Sequence, residues 1–275
     1  MKVNFYLSEE KLKRFSDKKL TGTGLAAFLL LFFEKEVVER ALHYFGIRMD
    51  TRCACDGKCA AIFPFKDEIG RIRDVIMMLI HPLKGTVLRH GNAEAEVQNT
   101  FYQNTRAKYY FDDYGDKVWS LIPELTKDCH FVILPTLFGM DKISLFKCVC
   151  IVSAPIDAIV MSIIFPQCAW VATGDEGEFG NVLERYDVVH ALKYKTVVLY
   201  PEIGKEDEAR DWELYLLHQG IDVETDTYAA RTEVEEWFRE GQSVATIALQ
   251  MLYCFYSKEE VISALGLHEH SREPF

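Results

Sequence analysis

The hydrophobic pattern is most regular between residues 148 and 225, where short apolar runs alternate with segments of helical spacing. The apolar runs are uninterrupted and rich in β-branched side chains, which predicts buried strands. Buried strands alternating with helices are typical of a parallel sheet covered on both faces. The sequence therefore predicts an α/β fold with flanking helices. The expected strands are 148–152, 169–172, 196–200 and 221–224, and the expected helices are 156–164 and about 206–218.

The segment upstream of this region has a different spacing. Residues 60–90 read as three short strands separated by the turn sequences at 67–70 and 82–85, which predicts an antiparallel meander. Residues 25–45 have the apolar pattern of a buried helix or helix pair, and Gly46 is well placed to end it.

The downstream segment is helical in pattern. Helices are expected at 232–239, at 244–256 and after Ser257, which begins a capping box with Glu260. We therefore expect three regions. They are an α+β region at 1–140, an α/β domain at 141–228 and a C-terminal helical extension at 229–275.

The overall charge limits the function classes. The net charge of -11 over 275 residues argues against a protein that coats nucleic acid through a general positive field. The start of the chain lacks the apolar core of a signal peptide, and the longest apolar run is half a membrane span. We expect a cytoplasmic protein with reduced thiols and no membrane partner. One basic cluster indicates either solvated surface or a local nucleic-acid contact: Arg71, Arg73, Lys84 and Arg89.

The eight cysteines fall into groups with different predictions. Cys148, Cys150 and Cys168 lie in apolar runs and are expected to be small buried side chains. A second group occupies a glycine-containing segment read as a loop. This loop either carries free thiols or, with a fourth ligand such as His43, binds zinc. Its members are Cys53, Cys55 and Cys59.

Polar side chains gather where the predicted parallel strands end. In such sheets the functional groups collect at the carboxyl ends of the strands, so this edge is the first candidate site. The residues expected there include Ser153, Asp157, Thr173, Glu202, Glu206 and Asp207.

Three segments, in this order, resemble a bacterial primase core. Residues 62–72 resemble a primase strand and turn, residues 137–139 resemble the segment before a toprim domain, and residues 149–157 resemble the first toprim strand with its loop. A narrower resemblance is to uncharacterised toprim-like proteins of mobile elements in Bacteroidetes-type bacteria. It is carried by the sequences at 170–174 and 200–204.

The toprim resemblance implies metal-dependent phosphodiester chemistry, with Mg²⁺ held by a Glu after the first strand and an Asp-x-Asp after the third. In this chain Ser153 stands at the position of that Glu. The Asp-x-Asp position is occupied by Pro201-Glu202-Ile203, in which only Glu202 is acidic. One hypothesis is a degenerate, non-catalytic component of a mobile-element replication or defence system, binding single-stranded DNA or a protein partner.

The other hypothesis is an active nuclease or primase-like enzyme with rearranged acidic ligands. Its metal ligands for Mg²⁺ or Mn²⁺ would be Asp157, Glu202 and Asp207. Under either hypothesis the residues at the catalytic positions are Asp157, Glu202 and Ser153.

Overall fold

The computed structural model divides the chain into two compact units, residues 1–136 and 137–275. The residues that it describes are 2–4, 12–13, 15–55, 57–87, 130–132, 136–174, 181–228 and 239–267. In these ranges no helix combines the length and the apolar character needed to cross a membrane.

The first unit combines two short helices with an antiparallel sheet and a parallel strand pair. The sheet has the order β2-β3-β4, and β1 pairs in parallel with β5. The elements are β1 (Lys2–Asn4), α1 (Gly24–Leu29), α2 (Lys35–Tyr44), β2 (Arg48–Cys55), β3 (Lys58–Lys66), β4 (Ile72–Met78) and β5 (His130–Val132).

Two strands of the predicted meander are confirmed as β3 and β4, and the expected third strand, at 86–89, falls partly outside the described residues. The third strand of the sheet is β2, upstream of the expected region, whereas Val87 makes only an isolated bridge to Ile80. Cys55 pairs with Lys58, so two residues connect β2 to β3, and Gly57 there has a φ of 69°. Glycine accepts this left-handed backbone without steric cost. The many polar side chains of β2 concealed the strand in the hydrophobic pattern.

Of the helix or helix pair expected at 25–45, the structure has the pair, α1 and α2. Gly46 follows the end of α2 with a φ of 70°, and the Ile47 amide donates to the Leu42 carbonyl across it. This left-handed glycine satisfies carbonyl groups that the ended helix leaves open, as expected for a C-terminal glycine cap.

The second unit is built on a four-stranded parallel sheet, which confirms the predicted fold class. The strand order is β7-β6-β8-β9. The elements are β6 (Cys148–Val152), α3 (Pro155–Ile164), β7 (Ala169–Ala172), α4 (Tyr186–Leu192), β8 (Thr196–Leu199), α5 (Glu206–His218), β9 (Asp222–Thr225), α6 (Val244–Tyr253) and α7 (Lys258–Ala264). The helix expected at 232–239 falls almost wholly outside the described residues.

The two faces of this sheet are both covered, which explains the uninterrupted apolar strands. Val149 and Ile151 point into a core that also contains the buried side chains of α4 and α5. Alternation along a strand sends Cys148 and Cys150 to the opposite face. Helix α3 packs against β6 and β7, and α6 packs against α3.

Helix α7 begins with the predicted capping box, which the structure confirms. The Ser257 hydroxyl accepts from the Glu260 amide at 3.2 Å, and the Glu260 carboxylate accepts from the Ser257 amide at 2.7 Å. Two amide groups at the helix start are thereby satisfied within the box.

Removing this cap is expected to lower stability modestly. Ser257→Ala should reduce the free energy of unfolding by about 1 kcal/mol, because the Glu260 amide loses its acceptor. Urea denaturation measures the change. Ser263→Ala, at an exposed position of the same helix, is the control and should leave stability unchanged or slightly raised. Equal effects of the two substitutions would contradict the role of the cap.

Candidate functional site

The candidate site lies where the connections of two neighbouring strands diverge. The chain leaves β6 towards β7 on one side, and it leaves β8 towards β9 on the other. Such a switch point opens a crevice outside the carboxyl ends of the two strands, which is where ligands bind in open parallel sheets. Ser153 follows β6 directly, and Glu202 lies in the loop after β8.

A hydrogen bond joins the two sides of this crevice. The Ser153 hydroxyl donates to Glu202 Oε1 at 3.0 Å. Burial raises the pKa of Glu202, and the hydrogen bond from Ser153 and the charge of Lys205 offset part of that rise. The Ser153 side chain therefore supplies a neutral hydrogen-bond donor to the Glu202 carboxyl group.

Asp157 is the second acid of the site, in the first turn of α3. Burial raises the pKa of Asp157 to about 7, the charge of Glu202 adds to the rise, and a hydrogen bond with Ser243 offsets part of it. A half-protonated carboxyl group near neutral pH is a weaker ligand for a hard cation than an ordinary aspartate. The raised pKa follows from the loss of water around the carboxylate.

The chain after β9 forms hydrogen bonds with the loop that carries Glu202. The Ile203 amide donates to the Gln242 carbonyl at 2.9 Å, and the Gly241 amide donates to the Ile203 carbonyl at 2.9 Å. The Tyr228 hydroxyl lies 2.8 Å from the Pro201 carbonyl and 3.2 Å from that of Gln242. These bonds fix the backbone of the loop on both sides of the acid.

These supporting residues were missed in the sequence. Ser243 caps α6 through the Thr246 amide and also contacts Asp157, and the sequence around it indicates only the start of a helix. Tyr228 and Gln242 carry no motif. Their roles depend on the return of the chain to the crevice, which hydrophobic spacing does not encode.

The three predicted metal ligands are placed differently. The charge of Glu202 acts on Asp157, whereas the Asp207 side chain is fully exposed and lies 3.4 Å from Arg210. Among the described residues, only one trio of His, Cys, Asp or Glu side chains has all its ligand atoms within 4.8 Å of one another, and that trio consists of cysteines. The acidic residues therefore do not fit a three-carboxylate Mg²⁺ site as they stand, and metal binding by them stays a prediction.

The predicted nucleic-acid contacts lie in the first unit. Arg73 is buried and donates to Asp67 at 3.2 Å, whereas the half-exposed Arg71 donates to the same carboxylate at 2.8 Å. Lys84 is exposed. Arg89 lies outside the described residues. Of this cluster, Arg71 and Lys84 present side chains to solvent.

The predicted cysteine loop is instead a pair of strands. Cys53 and Cys55 belong to β2, and Cys59 belongs to β3. The prediction was wrong about the loop because the short connection between β2 and β3 was not recognised as a hairpin. The side chains of Cys53 and Cys55 are outside the described part of the structure, so zinc binding by this group stays a prediction.

These features define an α/β protein whose parallel sheet carries a buried aspartate, a half-buried glutamate and a buried serine at its switch point. A family model matches residues 23–203, about two thirds of the chain. The chain belongs to that family, DUF6371, which is described as a domain of unknown function. A comparison with curated proteins finds no match.

Several solved primase structures are similar to this chain. The DnaG primase catalytic domain bound to ssDNA is 12% identical, with 94% of this chain and 81% of that chain covered and a TM-score of 0.46. The RNA polymerase domain of Mycobacterium tuberculosis primase, in complex with double-stranded DNA, is 10% identical, with 94% and 81% covered and a TM-score of 0.44. The Aquifex aeolicus primase, with zinc-binding and RNA polymerase domains, is 13% identical, with 93% and 62% covered and a TM-score of 0.44.

Proposed function

We propose that this protein is a degenerate toprim-like, primase-related protein that binds nucleic acid or a protein partner and does not cleave or form phosphodiester bonds. The supporting observation is the hydrogen bond from Ser153 to Glu202 at the switch point. A hydroxyl group stands where the resemblance implies a carboxylate, and it supplies neither negative charge nor a strong base. The setting would be a mobile-element replication or defence system in the cytoplasm.

Single-stranded DNA is the ligand that we propose to test first. Because the protein has a net charge of -11, it needs a local basic surface to bind DNA. Arg71 and Lys84 provide exposed cationic side chains in the first unit. Lysine side chains on phosphates contribute sequence-independent affinity that falls with salt. The other proposed partner is a replication or defence protein.

Charge reversal at Lys84 tests the binding surface. Lys84→Glu should weaken the binding of a fluorescent single-stranded oligonucleotide severalfold, measured by anisotropy, and should reduce the salt dependence by about one phosphate contact. The exposed Lys193, in the other unit, gives the matched control Lys193→Glu. Equal losses of affinity in the two variants would indicate that binding responds to the net charge of the protein and not to Lys84 in particular.

Incubation with metal tests the proposed lack of catalysis. With Mg²⁺ or Mn²⁺ the wild-type protein should leave the oligonucleotide intact and should not extend it with nucleotides. Cleavage or priming that persists in the purified protein and disappears in Glu202→Gln would overturn the non-catalytic function.

The alternative function is an active metal-dependent nuclease or primase-like enzyme, and one observation favours it. Asp157 and Glu202 lie close enough for the charge of Glu202 to raise the pKa of Asp157. A divalent cation would relieve that repulsion, since hard carboxylate oxygens are the ligands that Mg²⁺ and Mn²⁺ take. Asp207 would need to turn towards the crevice to complete the set.

A further inference from the structure

Three cysteine side chains converge on the sheet face that packs against α3, away from the acidic crevice. Cys148 and Cys150 are two residues apart on β6, and Cys168 directly precedes β7. All three sulfur atoms lie within 4.8 Å of one another, and Cys148 Sγ is 4.0 Å from Cys150 Sγ. None of the three is in a disulfide.

The strand register brings this trio together. Val149 pairs with Ala169 across the parallel strands β6 and β7. The residues that precede this pair, Cys148 and Cys168, are therefore also neighbours. Cys150 joins them because alternate residues of a strand share a face. Backbone geometry therefore holds the three sulfurs in place, with no loop closure needed.

The spacing of the sulfurs suits a three-coordinate metal ion. An ion about 2.3 Å from each of three thiolates separates the sulfurs by about 4.0 Å when the site is planar. The distance between Cys148 and Cys150 is 4.0 Å. Simple packing of small buried side chains would not require three sulfurs to meet.

We propose that Cys148, Cys150 and Cys168 form a three-thiolate site for a soft d¹⁰ metal ion. Thiolates select Cu⁺ and Zn²⁺ among the common ions. Zn²⁺ is almost always four-coordinate in structural sites. Within the described ranges no fourth His, Cys, Asp or Glu joins the trio. Three sulfur ligands alone favour Cu⁺.

Metal uptake at this site is coupled to proton release. Each thiol that binds the ion gives its proton to solvent, so three thiolates around Cu⁺ release three protons and leave a local charge of minus two. The affinity for metal should therefore rise with pH.

The chain reaches the surface immediately before the last cysteine of the trio. Pro166 and Gln167, the two residues before Cys168, are exposed, whereas the three cysteines are buried. Local opening of the α3–β7 connection would expose Cys168 without separating the sheet strands. The ion would therefore enter at the amino ends of β6 and β7, opposite the acidic crevice.

The experiment is a titration of the full chain in which the other five cysteines are replaced by alanine. Under anaerobic, reducing conditions, Cu⁺ is delivered in competition with a chromophoric copper chelator, and Zn²⁺ is titrated in a parallel arm. We expect one Cu⁺ per chain, with X-ray absorption showing sulfur ligands only, and weaker binding of Zn²⁺. The replaced residues are Cys53, Cys55, Cys59, Cys129 and Cys254.

Two further variants separate ligand loss from loss of packing. Cys150→Val keeps a buried apolar side chain on β6 and should reduce Cu⁺ binding at least tenfold. Val152→Ala loosens the same face without removing sulfur and should retain one ion per chain. Should the five-alanine chain not fold, the wild-type chain should bind one Cu⁺ more than its Cys150→Val variant.

Absence of stoichiometric Cu⁺ and Zn²⁺ binding in the folded chain would overturn the proposed site. Binding that survives Cys150→Val unchanged would overturn it equally. A metal bound through the thiols leaves the proposed nucleic-acid function untouched, because the proposed contacts Arg71 and Lys84 belong to the first unit and the trio belongs to the second.

Discussion

Asp157→Asn is expected to make the protein more stable at neutral and alkaline pH. An aspartate in an unfolded chain loses its proton near pH 4, whereas the pKa of folded Asp157 is raised to about 7, first by burial and then by Glu202. Between these values the folded state binds one more proton. The free energy of unfolding therefore falls as pH rises and levels off above about pH 7.

Asparagine removes this cost because it carries no charge at any pH. Its expected gain over wild type at pH 8 is at most about 4 kcal/mol, since each pKa unit corresponds to about 1.4 kcal/mol. The two proteins should be similarly stable below about pH 4, where the aspartate is protonated in both the folded and the unfolded state. Urea denaturation at several pH values measures the difference.

Asp207→Asn is the matched control, because the Asp207 side chain is fully exposed. Its stability should follow wild type within about 0.5 kcal/mol across the pH range. If Asp157→Asn were less stable than wild type at pH 8, Asp157 would have to be an ionised, well-solvated or ion-paired group. That result would contradict the environment described for the site.

Asp67→Ala is expected to destabilise the first unit by about 3 kcal/mol, since it breaks a buried ion pair. The Asp67 carboxylate accepts from the side chains of Arg71 and Arg73 and from the backbone amides of Ile69 and Arg71. Burial alone would raise the pKa of Asp67, but the hydrogen bonds and charges of the two arginines outweigh it and lower the pKa. The stabilisation is therefore present above the unfolded pKa and is lost as pH falls through the folded one.

Two comparisons isolate the ion pair. Glu68→Ala removes an exposed acid one residue away and should change stability by less than about 0.5 kcal/mol. Combining Asp67→Ala with Arg73→Met removes both buried charges and should recover part of the loss. A double variant no more stable than Asp67→Ala alone would show that the pair is not the source of the effect.

The parallel sheet of the second unit was predictable because it is covered on both faces. Burial on both sides makes strands such as β6 and β8 continuously apolar, and that pattern is unambiguous in sequence. The same reasoning placed Ser153 and Glu202 at one edge, since parallel strands end together. In contrast, β2 was missed because residues such as Arg48 and Thr51 interrupt its apolar positions.

The partners of the site were not predictable for a different reason. Ser243 and Tyr228 reach the crevice only through the path of the chain after β9, and no local pattern specifies that path. The cysteine trio has a similar origin. Each cysteine was expected to be buried, but the contact between Cys148 and Cys168 depends on the register of β6 with β7, which short apolar strands do not fix in sequence.

Calorimetric titration with Mn²⁺ tests most directly whether the acidic site binds a divalent metal ion. The comparison is between wild type and Ser153→Glu combined with Ile203→Asp, which restores the two carboxylates that the toprim resemblance implies. Ser153→Gln is the control for side-chain size without charge. Each added carboxylate gives the pocket another hard anionic oxygen.

We predict no saturable Mn²⁺ binding by wild type or Ser153→Gln and binding at least about tenfold tighter by the double variant, a difference of about 1.4 kcal/mol. The double variant should also gain thermal stability when Mn²⁺ is added, because the ion offsets the repulsion between its carboxylates. Tight Mn²⁺ binding by wild type that is abolished in Glu202→Gln would contradict the degenerate site, and the rearranged-ligand enzyme would take its place.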